Sequence, residues 1–188
     1  MTVLVAYASK HGATREIADR IAATLTAAGQ PADARSTDNV SDLARYDAFV
    51  IGAAAYYGHW LKPATEFIQA HKALLAAWPV WLFSSGPLGT KTADAQDPDV
   101  QEAALPKEFS ELRDAIQPRG DRVFFGALDQ DNLTLSERTI RRMPAGRALL
   151  PDGDFRDWHD IDVWAKAIAA ELSRSETEAP GPDSHLLT

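Results

Sequence analysis

Three short runs of this chain, residues 3–8 (VLVAYA), 48–53 (AFVIGA) and 80–84 (VWLFS), are apolar almost throughout and do not alternate with polar residues. A strand with one buried face alternates; a strand covered on both faces does not. Such runs require a sheet with helices on either side. The intervening stretches supply them. Residues 14–28 place Ile17, Ala18, Ile21 and Leu25 at helical spacing, Gly29 follows as a C′ residue, and Pro31 prevents continuation. A second helix is expected over 62–76, with Pro63 in its first turn, a third within 106–116 and a last over 158–172. A weaker strand at 32–36 and a fifth at 122–128 (RVFFGAL) complete the pattern, while 41–44 forms a single helical turn at most. The expected fold is α/β in three layers: a doubly wound, five-stranded parallel sheet of strand order 2-1-3-4-5. Residues 1–172 form one domain. From Ser173 the chain is rich in Ser, Glu, Pro and Gly, and 173–188 is expected to be a disordered tail.

The first strand leads into the loop ASKHGAT (8–14) and straight into a helix. A helix N-terminus directs several backbone N–H groups at one point, and the helix dipole adds partial positive charge there. This is an anion site. Ser9 and Thr14 supply hydroxyl donors, and Gly12 permits a tight turn with close approach of a ligand. No G-x-x-x-x-G-K-[ST] occurs in the chain, and a loop with one glycine is not G-x-G-x-x-G. The loop fits a terminal monoester phosphate such as that of FMN. A plain capped turn would read the same way.

Composition removes several alternatives. The chain has no cysteine, so disulfides, thiolate catalysis and Cys-ligated zinc or iron–sulfur clusters are excluded. Its 5 histidines show no metal-ligand spacing, and Asp129-Gln130-Asp131-Asn132 fails as a calcium loop because Leu133 and Thr134 follow. No metal is expected. A formal net charge of −8 argues against nucleic acid as a partner. No apolar run approaches the ~20 residues of a membrane span. Residues 1–8 lack a basic leader region, and a cytoplasmic location is expected.

With strand order 2-1-3-4-5, ligands sit beyond the C-terminal strand ends, where the loops after strands 1, 3 and 4 converge. The strand-3 loop is AAAYYGHW (53–60) and the strand-4 loop SSGPLGTK (84–91). Small residues there expose peptide groups, and Tyr56, Tyr57 and Trp60 offer stacking faces.

On these residues the chain resembles the flavodoxin-like FMN proteins over 2–172. Among them it is most similar to the menaquinone-dependent protoporphyrinogen IX dehydrogenase family. The stretches that carry the resemblance are SKHGATREIA (9–18), YDAFVIGAAAYYGH (46–59), FIQAH (67–71), FFGAL (124–128) and DWHDIDVWAKAIA (157–169). The resemblance implies FMN as cofactor and oxidoreductase chemistry in porphyrin biosynthesis, with the flavin taking electrons from a small-molecule donor and a quinone as acceptor. It implies that Ser9, Lys10, His11, Gly12, Ala13 and Thr14 hold the FMN phosphate. Ala54, Ala55, Tyr56, Tyr57 and Gly58 would flank the ribityl chain and one ring face, with Tyr57 the stacking aromatic. Ser84, Ser85, Gly86, Pro87, Leu88 and Gly89 would line the pyrimidine edge and the other side. That second loop holds no aromatic, so one flavin face would stay open. No catalytic side chain is required, and His59 is the one candidate proton relay. The other reading is a flavodoxin-type electron carrier docking to redox proteins. Carriers surround the flavin with carboxylates, whereas the segment 53–63 has none and carries His59 and Lys62.

The chain departs from the dehydrogenases after the fifth strand, where they carry a long, basic, hydrophobic insertion. Here 129–154 holds Arg138, Arg141, Arg142 and Arg147, with Ile140 and Met143 on one helical face. A weak membrane-surface contact through this segment, peripheral at the inner membrane face, is one expectation and a loop over the sheet edge the other. The relatives leave a dimer open.

Overall fold

The computed structural model describes residues 1–86, 104–128, 139 and 153–178. Its elements are β1 (Val3–Ala8), α1 (Ala13–Ala27), β2 (Ala32–Ser36), a 3-10 turn (Thr37–Asn39), β3 (Ala48–Tyr56), β4 (His59–Trp60), α2 (Lys62–Ala70), α3 (Lys72–Leu75), β5 (Val80–Ser85), α4 (Phe109–Ile116), β6 (Gly120–Phe124), β7 (Ala127–Leu128), β8 (Gly153–Asp154) and α5 (Trp158–Glu178). The main sheet runs β2-β1-β3-β5-β6, every neighbouring pair parallel, with β4 added antiparallel to β3. Allowing for β4, this is the order 2-1-3-4-5 expected from the apolar runs.

The lack of alternation has the expected cause. Leu4, Phe49, Ile51, Val80 and Leu82 point into one core with α2 to α4, where Ile68, Leu75, Phe109, Leu112 and Ile116 meet them. Val3, Val5, Val50, Trp81 and Phe83 point into the other, against Ile17, Ile21 and Leu25 of α1 and Ile161, Ile168 and Leu172 of α5. Each fully buried Leu, Ile or Phe contributes roughly 1.5–3 kcal/mol of burial energy. The edge strand β2 (ADARS) is short and carries Asp33 and Arg35, which discourages pairing with another chain.

Residues 41–44 form no helix, within the single turn at most expected of them, and a turn of 3-10 helix lies earlier, at Thr37–Asn39. Three expectations on element bounds are corrected. The helix expected over 62–76 is broken at His71, whose backbone (φ −117°) leaves the helical range. The strand expected over 122–128 ends at Phe124; the Phe124 carbonyl accepts from the Gly86 N–H, and the chain then leaves the sheet to pair β7 with β8. The last helix continues past Leu172 to Glu178, into the stretch expected to be disordered. Side chains explain this extension. The Ser173, Ser175 and Thr177 hydroxyls bond back to carbonyls one turn earlier, and Gln30 donates to Ser173 and Glu176. Residues 179–188 lie outside the described residues, as do 129–138 and 140–152 of the variable segment.

Candidate functional site

At the C-terminal edge of the sheet, Ala8 of β1 pairs with Ala53 of β3, and Ala54 pairs with Ser85 of β5. The register alone brings the three loops named from the sequence to one place. Ser9–Gly12 links β1 to α1, and Ala13 and Thr14 are the first residues of that helix. Gly12 occupies the left-handed region at φ +93°, and among the described residues no side chain caps α1. A Cβ at Gly12 would meet nothing within 4 Å, so the space beside the turn is open. The Gly12 N–H donates to Ser9 Oγ at 3.1 Å, which orients the hydroxyl and leaves its proton for another acceptor. Thr14 is buried, at 1% exposure. The N–H groups of a helix's first turn have no partner within the helix. With no side-chain cap, they remain for a ligand.

The loop after β3 is not a loop. Ala55 pairs with Trp60 and Tyr56 with His59, closing a two-residue hairpin over Tyr57 and Gly58. Both take positive φ, +53° and +77°, as a type I′ turn requires. Tyr57 is 81% exposed and free to stack. Tyr56 is half-buried, with the Lys10 ammonium 5.6 Å from its ring centroid and the His11 ring edge-on at 6.2 Å. These contacts join the first loop to the hairpin. Trp60, offered from the sequence as a stacking face, is buried edge-on against Phe109 at 4.8 Å and serves the core.

Ser84 and Ser85 end β5, and Gly86 follows at φ +105° with its Cβ direction 3.2 Å from the Ala55 carbonyl oxygen. A side chain there would press on the β3 backbone, so the turn keeps a narrow gap between the two strand ends. Among the described residues, buried Ser84 Oγ has no hydrogen-bond partner. Pro87, Leu88 and Gly89 lie outside the described residues.

One residue had no signal in the sequence. Glu108, just before α4, accepts from the Trp60 N–H at 3.1 Å and lies 2.8 Å from His59 Nδ1. Burial pushes its carboxyl upward, but the bonds from the Trp60 N–H, the His59 ring and its own backbone outweigh burial and hold it below the usual range. It is remote from His59 in sequence and sits in an ordinary helix-start context, so only the fold pairs them. Among the described residues no group of His, Cys, Asp and Glu is arranged to hold a metal ion.

The flavodoxin-domain family model matches residues 4–147, which span all three loops. The chain belongs to the flavodoxin-domain family. It is similar to the protoporphyrinogen IX dehydrogenase [quinone] of Escherichia coli (strain K12), 28% identical over 181 residues that cover 90% of this chain and 95% of that protein. The same enzyme from Escherichia coli O157:H7 matches to the same extent. The resemblance read from the sequence therefore holds. Among solved structures, an archaeal flavodoxin superposes with a TM-score of 0.55 at 15% identity, covering 92% of this chain and 99% of its own. The rubredoxin oxygen:oxidoreductase of Desulfovibrio gigas superposes with a TM-score of 0.59 at 13% identity, covering 95% of this chain and 37% of the larger protein. These likenesses establish the flavodoxin-like fold.

Proposed function

We propose that this flavodoxin-domain protein is an FMN-dependent oxidoreductase that takes electrons from a small-molecule donor and passes them to a quinone. The observation that carries the reading is the uncapped start of α1, with the open space at Gly12 and the Ser9 hydroxyl turned toward it. An anion of phosphate size suits this cradle: the first-turn N–H groups and the Ser9 hydroxyl are there to meet it, and the helix dipole favours negative charge. The partnerless Ser84 Oγ at the end of β5 fits a polar ring edge in the same way.

FMN, when bound, supplies a ring that accepts a hydride or single electrons. The chain's own residues do the rest. Ser9, Lys10, His11, Gly12, Ala13 and Thr14 would hold the phosphate. Ala54, Ala55, Tyr56, Tyr57 and Gly58 would flank the ribityl chain and one ring face. Ser84, Ser85, Gly86, Pro87, Leu88 and Gly89 would line the other side. The similarity to the bacterial protoporphyrinogen IX dehydrogenase [quinone] supports a porphyrinogen-type donor and a quinone acceptor. No described helix is long and apolar enough to cross a membrane, and we place the protein in the cytoplasm, with the quinone met at the membrane face.

The visible absorption spectrum tests the cofactor. The purified chain, supplied with FMN and passed through a sizing column, should retain oxidised-flavin bands. A colourless protein after that treatment would remove the reading. Loaded protein is then reduced and mixed with a quinone or with a basic redox protein; rapid reoxidation by the quinone supports the enzyme over the electron carrier.

A further inference from the structure

We infer that Glu108 is a positioning residue that, from the start of α4, sets the hairpin turn carrying Tyr57 beside the flavin site. The inference rests on the FMN reading above. Tyr57 adopts φ +53°, a conformation uncommon for an aromatic residue, and its side chain is 81% exposed. Its own packing therefore does not hold it there. Beyond the ladder of the hairpin itself, the turn is held by a short segment on the neighbouring element. The Lys107 N–H donates to the Gly58 carbonyl at 3.0 Å. Glu108 accepts from the Trp60 N–H with one carboxylate oxygen and meets His59 Nδ1 with the other. Phe109 packs edge-on against Trp60. Of these contacts only Glu108 uses a side chain that grips both the backbone and the side chain of β4.

The same contact redefines His59. With Nδ1 engaged by Glu108, the ring is oriented by the α4 side of the hairpin, and its part is to fasten the turn. Lys107 also approaches the turn, its Cε 3.9 Å from the Cβ direction of Gly58.

The test is a binding titration of the full chain with FMN, followed by flavin fluorescence, alongside thermal unfolding. Glu108→Ala should weaken FMN about tenfold, and Tyr57→Leu by at least as much. The double variant should bind no worse than Tyr57→Leu alone, because Glu108 acts through Tyr57. Glu108→Gln should recover most of the affinity, since the amide oxygen still accepts from Trp60 and its NH2 can donate to His59. It also serves if the alanine variant folds poorly. An unchanged dissociation constant for Glu108→Ala overturns the inference. So does a loss equally large in the Tyr57→Leu background, which marks a purely structural role. Tight wild-type FMN binding with either of those outcomes leaves the FMN reading standing. A wild-type chain that takes up no FMN overturns both.

Discussion

Gly52 has no room for a methyl group. A Cβ built there lies 2.0 Å from Phe83 Cζ, and Phe83 is fully buried against the α1–α5 layer. The register explains the contact, since Gly52 and Phe83 are directly paired on β3 and β5. Gly52→Ala is therefore expected to destabilise the fold by about 1–3 kcal/mol, the usual cost of overpacking, and thermal unfolding checks it. Adding Phe83→Leu should return part of the loss, as coupled neighbours do. A melting point equal to the wild type would contradict this packing. The phosphate loop offers a ligand-level counterpart. Ser9→Ala with Thr14→Ala should weaken FMN by several kcal/mol at most, about 1 kcal/mol or more for each charge-assisted hydrogen bond lost. Riboflavin, which lacks the phosphate, should bind both proteins alike. Equal weakening of the two ligands, measured by fluorescence titration, would show that these hydroxyls do not face the phosphate.

Helices α1 and α5 are locked by Asp162, which takes a two-pronged contact from Arg20 at 2.6 and 2.7 Å and a third bond from the Thr24 hydroxyl at 3.0 Å. The Arg20 hydrogen bonds in particular pull its carboxyl down to about 2. A carboxyl with a lowered folded value stabilises the fold above its unfolded value near 4, and that contribution is lost as pH falls toward 2. Asp162→Asn should cost about 1 kcal/mol near neutrality, given the exposure of Arg20, and the difference from wild type should shrink below pH 3. Denaturant unfolding at both pH values measures it; a constant gap would deny the ion pair its role. The three apolar strands were legible because burial on both faces writes an unbroken apolar run, and α1 because one buried face writes Ile17, Ala18, Ile21 and Leu25 at helical spacing. The β3–β4 hairpin was not, because Tyr-Gly is no customary type I′ pair and the grip that fixes it comes from Glu108, far along the chain. The end of α5 was hidden for a related reason. Ser173, Ser175, Glu176 and Thr177 look like tail composition, and their helix-retaining bonds to the preceding turn and to Gln30 are visible only once folded.

Across the whole molecule the net charge is −8, yet little of that charge reaches the described edge of the site. Glu108 is engaged with His59, Glu16 of the first α1 turn is held by Arg156 at 2.7 Å, and Glu66 pairs with Lys62 at 2.8 Å. Lys107 is exposed on a loop that meets there, and Lys10 lies over the Tyr56 ring. An electron carrier that docks basic partners needs the opposite arrangement, a ring of free carboxylates whose attraction speeds encounter and fades with salt. An uncharged quinone gains nothing from such a field. The reoxidation of reduced, FMN-loaded protein by a neutral quinone should therefore change little between about 0.01 M and 1 M salt, although the Debye length contracts from about 30 to 3 Å over that range. Stopped-flow absorbance at the oxidised-flavin band measures the rate. A basic redox protein offered in place of the quinone should react slowly at low salt and gain nothing from it. A fast reaction with that partner, collapsing as salt rises, would instead assign the site to carriage between proteins and place the steering carboxylates elsewhere on the chain.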